Sequence, residues 1–109
     1  MKDTVVLVTR PGMGSGDLEL QRKLFVTYLK ILLENGSLPG AFCFYTEGVK
    51  LVVEGSPVLD LLKEIEARGV HLILCRTCLE HYGALDRVRV GVVGGMGDIV
   101  AAQAMASKV

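Results

Sequence analysis

Apolar residues in this chain gather into two kinds of run, and the two kinds alternate. "TVVLVT", Thr4 to Thr9, is continuous and β-branched, the pattern of a strand covered on both faces. "RPGMGSG" breaks it with Pro11 and three glycines. From Asp17 the period changes: Leu18, Phe25, Leu29 and Leu32 recur at seven, four and three residues, predicting a helix with Asp17 as N-cap and Asn35-Gly36 as its stop. "GAFCFYT", Gly40 to Thr46, predicts a second buried strand, and "EGVKLVVEG" a loop with a short helical turn. Ser56-Pro57 marks a helix start, with Val58, Leu61, Leu62 and Ile65 on one face until Gly69. "VHLIL" and "RVRVGVV" predict a third and a fourth strand, "GDIVAAQAMAS" a closing helix, and Lys108-Val109 the start of a fifth strand.

Strand and helix in alternation imply an α/β domain with a mostly parallel sheet and helices on both faces. In such an open sheet, sites gather outside the carboxyl ends of the strands. The glycine loop, Thr46-Glu47, Cys75 and the segment Gly94 to Met96 are therefore expected to share one rim.

At 109 residues the chain fits one domain, 1–109, and the half of its residues that are hydrophobic can fill a core. Twelve Lys plus Arg balance twelve Asp plus Glu, and no basic run occurs, so nucleic acid is not an expected partner. No run is long enough for a membrane span, and "MKDTVVLVTRPG" is too short in apolar residues for a signal peptide. Three cysteines, an odd count, do not make a disulfide framework and suit a reducing compartment, so a cytoplasmic location is expected.

Two of those cysteines carry the candidate chemistry. "HLILCRTCLEHYG" runs a strand into Cys75 and Cys78 in C-x-x-C spacing. Thr77 is a candidate cap for a short helix beginning at Cys78. A thiol near a helix N-terminus and a cation such as Arg76 ionises more readily, and His81 follows one helical turn later. The competing reading is two small core residues, because free cysteine is among the most buried types. Zinc would need a fourth ligand beside Cys75, Cys78 and His81. His71 stands four strand residues upstream, about 13 Å away, so no metal site is expected. A thioredoxin-like oxidoreductase opens a long helix with its pair, whereas Gly83 follows Cys75 by only eight residues; thiol exchange itself stays open. Cys43, between phenylalanines, reads as core.

The loop "RPGMGSGD" spells neither G-x-G-x-x-G nor a P-loop. Gly12, Gly14, Ser15 and Gly16 could cradle an anion with backbone amides at the helix start, or simply make a tight turn. Capping is the simpler role for Asp17. Glu47 is either solvated or a rim residue. Met13 and Met96 fall in rim loops, where exposed apolar side chains often mark a subunit contact.

"VTRPGMGSGDLELQRKLF", "FYTEGVKLVVEGSPVLDLLKEIEARGV" and "LCRTCLEHYG" together resemble the DsrE/DsrF-like family of sulfur-relay proteins, closest to the C-terminal domain of its YedF-like, selenium-metabolism members. The resemblance spans nearly the whole chain. It implies a flavodoxin-like, three-layer α/β/α fold and assembly into homo- or hetero-oligomers, with a homo-oligomer expected here. It also implies a sulfurtransferase-like activity in which sulfane sulfur rides as a cysteine persulfide. The family's persulfide cysteine matches Cys75, and Cys78 matches a second cysteine seen in YedF-like members, as a resolving thiol. Arg76, His81 and the amides of Gly12, Gly14, Ser15 and Gly16 would then stabilise the anionic sulfur. YedF-like proteins carry a TusA-type sulfur-carrier domain ahead of this one; here the chain starts at the DsrE-like strand, so a TusA-type donor or acceptor is expected as a separate partner. No cofactor is expected. The alternative is a non-catalytic oligomeric module of the same fold that binds a small ligand or partner protein.

Overall fold

The computed structural model describes all 109 residues, Met1–Val109. Four short strands, β1 (Val5–Val8), β2 (Ala41–Phe44), β3 (His71–Cys75) and β4 (Val92–Gly94), form a parallel sheet in the order β1-β2-β3-β4. They alternate with helices α1 (Leu18–Asn35), α2 (Leu59–Ala67), α3 (Arg76–His81) and α4 (Met96–Met105). The expected fifth strand is a single parallel bridge: Lys108 lies beside Thr4, and the Val5 amide donates to the Lys108 carbonyl at 2.9 Å. The α/β/α fold is as expected from the sequence.

The strand order decides how the layers fill. The two right-handed crossovers from β1 to β2 and from β2 to β3 run in one direction and put α1 and α2 on the same face, and the return from β4 to the far side of β1 puts α4 on the other. Residues in register share a face. The rows Val6–Phe42–Leu72 and Val8–Phe44–Leu74 turn toward α1 and α2. The rows Val5–Ala41–His71 and Leu7–Cys43–Ile73 turn toward α4. Phe25, Leu29, Leu62 and Ile65 seal the two-helix face completely, and Cys43 is fully buried, as its place between phenylalanines predicts.

Helix ends follow local chemistry. The Asp17 carboxylate accepts from the Leu20 amide at 2.7 Å, and Gly36 ends α1 in the left-handed conformation, its amide bonded to the Leu33 carbonyl. α2 begins two residues later than Ser56-Pro57 suggests. Ser56 Oγ accepts from the Val58 amide at 3.2 Å and makes a turn rather than a cap.

"RVRVGVV" behaves as two segments. Val88 bridges antiparallel to Val53, with the Arg89 amide on the Val52 carbonyl and the Glu54 amide on the Arg87 carbonyl. Gly91, at φ 89°, then turns the chain into β4. A Cβ at Gly91 would stand 2.9 Å from Leu74 Cδ2 and 3.1 Å from the Leu72 carbonyl oxygen. Gly91→Ala should therefore lose about 2–4 kcal/mol of stability, adding steric overlap to left-handed strain. Gly55→Ala, also left-handed but facing open space, should lose only about 1–2 kcal/mol. Urea midpoints at constant m-value test the order.

Candidate functional site

The carboxyl ends of β1, β2 and β3 converge with the segments that follow them. After β2 comes a 310 helix, Thr46–Leu51, anchored by buried Val49 and Leu51. It sits directly on the end of β1: the Tyr45 amide donates to the Val8 carbonyl at 3.1 Å, and a Cβ on Gly48 would overlap that same carbonyl oxygen. Only glycine permits this approach. After β3, α3 begins at once, with Cys75 as its N-cap residue and buried Leu79 holding it down.

These two segments meet at Cys78. The Thr46 amide donates to Cys78 Sγ at 3.1 Å, across 32 residues of sequence. The Thr46 hydroxyl lies 3.1 Å from the Thr9 carbonyl and 2.7 Å from the Tyr45 carbonyl, so its one proton ties the 310 segment to β1 and β2. Thr46 is the only non-glycine residue at positive φ, 47°. For a β-branched residue that conformation costs about 1–2 kcal/mol.

Neither cysteine is in a disulfide, and the two thiols are close enough to influence each other's ionisation. Their exposure differs: Cys75 is 3% exposed, whereas Cys78 is half-buried and reachable. Cys75 closes β3 beside Gly94 and caps α3, whereas Cys78 lies within that helix. Burial pushes the Cys78 thiol above the ordinary thiol range, and the hydrogen bond and charge of Cys75 push it further. The Thr46 amide acts against them by favouring the thiolate.

The other candidates stand apart from the sulfurs. Arg76 is exposed with no hydrogen-bond partner on either sulfur, and the His81 ring packs edge-on against Tyr82 at 5.1 Å. Lys50 lies 4.6 Å above that Tyr82 ring and pairs with Glu47 at 3.1 Å. No amide of the loop Gly12–Gly16 is hydrogen-bonded to a cysteine. Gly12 is buried because a Cβ would overlap Gln21 of α1, and the Met13 amide bonds the Gln21 carbonyl at 2.9 Å. Gly14, Ser15 and Gly16 are exposed, and Asp17 already occupies the Leu20 amide of the helix start. Met13 turns inward against the core, while Met96 stays exposed. No three His, Cys, Asp or Glu side chains converge closely enough to hold a metal ion.

Between the glycine loop and the 310 segment lies a cleft of about 480 Å3 whose lining includes Arg10, Arg22, Glu47 and Lys50. Neither sulfur borders it, nor any of the other main clefts. Cys78, the half-buried member of the pair, therefore lies on the rim outside these clefts.

Thr46 is the site residue that sequence reasoning missed as a partner of the sulfur. Its place at the end of the second strand was legible; its left-handed φ was not, because nothing in "FYTEGVK" demands one.

Comparison with known proteins bears on this fold. The chain shares it with MTH1491 of Methanobacterium thermoautotrophicum, a protein of unknown function: TM-score 0.70, 20% identity, 97% of this chain and 96% of that one covered. It shares it also with the ychN protein of E. coli, at TM-score 0.69 and 19% identity, over 100% of this chain and 97% of that one. At these identities the likeness shows a shared fold over essentially the whole chain. No protein-family model matches the chain, and neither does any curated protein sequence.

The opposing influences on Cys78 can be separated. Cys75→Ala removes two of the causes that raise its pKa, so the pH midpoint for alkylation of Cys78 should fall and its rate at neutral pH should rise. Mass-resolved alkylation across pH measures this; an unchanged midpoint would mean the two sulfurs do not interact.

Proposed function

We propose that this protein is a sulfurtransferase-like relay that carries sulfane sulfur as a persulfide on its dithiol. The observation that carries the reading is the Cys75-x-x-Cys78 pair at the strand-end rim, with a backbone amide aimed at the sulfur of Cys78, the more exposed of the two. The order of exposure favours Cys78 as the receiving sulfur, the reverse of the order the family resemblance implies. Cys78 loses its proton to solvent, and its thiolate attacks the outer sulfur of a donor persulfide. The donor's S–S bond breaks, its electron pair leaves on the donor thiolate, and a persulfide forms on Cys78. An acceptor thiolate then takes the outer sulfur, and Cys78 leaves as thiolate. Alternatively the Cys75 thiolate attacks Cys78 Sγ and expels hydrosulfide, giving a Cys75–Cys78 disulfide that an external dithiol must reduce.

A sulfur that lines no cleft is better reached by a protein than by a small molecule, which favours a sulfur-carrier partner of the TusA type. Selenium would travel by the same displacements, and only the YedF-like resemblance suggests that cargo. A dithiol that must be reduced to work suits the cytoplasm.

Incubated with a persulfide donor, the protein should gain the mass of one sulfur atom. The adduct should vanish in Cys78→Ser, and should persist longer in Cys75→Ser, which lacks the resolving thiol. An adduct that depends on Cys75 alone would reverse the assigned order, and no adduct at all would end the relay reading in favour of a binding module.

We also propose that the protein assembles with copies of itself through α4. Its outward side chains Met96, Val100 and Met105 are 50, 56 and 87% exposed, and Val92 of the adjoining edge strand is 67% exposed. The single charge on α4, Asp98, is committed to the Gly95 amide at 2.8 Å, so nothing ionic selects a foreign partner. Apolar surface of this kind is typical of homodimer interfaces. Sedimentation at micromolar concentration should report an oligomer that Val100→Glu dissociates, while Leu24→Glu on α1 leaves it intact.

A further inference from the structure

We infer that Thr46 is a positioning residue whose left-handed backbone and anchored hydroxyl hold its N–H on Cys78 Sγ, where it receives the negative charge that appears each time this sulfur is freed. The inference deepens the relay reading, which supplies only the use to which the freed sulfur is put.

Three observations converge on this role. The amide lies 3.1 Å from Sγ. The residue adopts φ 47°, which side chains other than glycine rarely take without local support. The support is present: the hydroxyl reaches the Thr9 and Tyr45 carbonyls, and the 310 segment rests on the Val8 carbonyl through Gly48. A glycine at 46 would fit the φ without strain, yet its peptide would be free to turn its N–H away. Threonine in the strained conformation removes that freedom. A donor fixed before the charge develops needs no reorganisation when it does, the principle of oxyanion stabilisation. In the relay, the charge appears on Sγ when the thiol ionises. It appears again when the acceptor takes the outer sulfur and the S–S electron pair stays on Sγ. The exposed cations do not substitute for this donor, because Arg76 makes no hydrogen bond to sulfur and Lys50 is engaged by Glu47 and the Tyr82 ring.

The test uses the full-length protein and a small alkylating reagent, so it reads the sulfur itself and stands apart from any transfer of sulfur. The ionisable groups around Cys78 are Cys75 before α3, Arg76, Glu80 and His81 on it, Tyr82 after it, and Glu47 and Lys50 on the 310 segment. Thr46→Gly alters none of them. In Thr46→Gly the alkylation of Cys78 at neutral pH should slow by about three- to tenfold, the midpoint moving up by the corresponding half to one pH unit. Above the midpoint, where all Cys78 is thiolate, both proteins should react alike. Thr46→Ser, which keeps the hydroxyl, should stay within about twofold of the wild type at neutral pH. A purely structural role would change the high-pH plateau and leave the midpoint alone, and that result overturns the inference. Should Thr46→Gly not fold, the wild type decides. The Thr46 amide proton resonance must titrate with Cys78, and a resonance that stays flat while Cys78 ionises overturns the assignment.

Discussion

The rim of this protein depends on one close approach. Gly48 lies against the Val8 carbonyl so tightly that any side chain would overlap it, and this contact seats the 310 segment Thr46–Leu51 on the end of β1. Raised by even one methyl group, the segment would carry the Thr46 amide away from Cys78, and the hydroxyl of Thr46 would lose the Thr9 carbonyl. Interiors are packed too densely to absorb such a shift locally. The surroundings of a sulfur on α3 thereby depend on the absence of an atom beside β1, in a segment far from both cysteines in sequence.

Much of the architecture was legible because local signals and global fold agree. Asp17 and Gly36 bound α1 as their chemistry requires, and the continuous apolar runs became strands, of which β2 is buried throughout while β1 and β3 are partly open. "RVRVGVV" was misleading because its alternation suits a strand of either direction. The neighbour decides, and Val52–Glu54 captures the first half antiparallel before Gly91 redirects the second. The cysteine spacing identified the dithiol, but which sulfur is reachable depends on packing: Cys75 is buried at the junction of β3 and α3 beside Gly94, whereas Cys78 lies within α3 and is half-buried. Thr46 was illegible in a stricter sense. A left-handed threonine carries no sequence mark, since the contacts that impose it come from β1 and from Gly48.

The electrostatics of the pair suggest why two thiols sit together. Burial of Cys78 is the largest influence and favours the protonated form, Cys75 adds to it, and the amides of Thr46 and of Cys78 itself act against both. A resting thiol of raised pKa resists stray alkylation and oxidation, which act on the thiolate. In the proposed relay, a Cys78 that carried an outer sulfur would leave Cys75 as the nearest nucleophile to an S–S bond, so the neighbour that quiets the reduced pair would prepare the loaded one for release.

The layers themselves argue for company. Sequential crossovers leave two helices on one face of the sheet and one on the other. α4 is therefore alone on its face, packed against β3 and β4, and its sequence bears a single charge and is apolar outward as well as inward. A helix apolar on all sides is stable when surrounded, and a lone chain does not surround it. The surface that would recruit a second copy lies over β3 and β4, beside the strand that ends in Cys75. Assembly through that face would stiffen the elements behind the buried cysteine while leaving Cys78, held by Thr46 on the opposite side of α3, open to a visiting thiol.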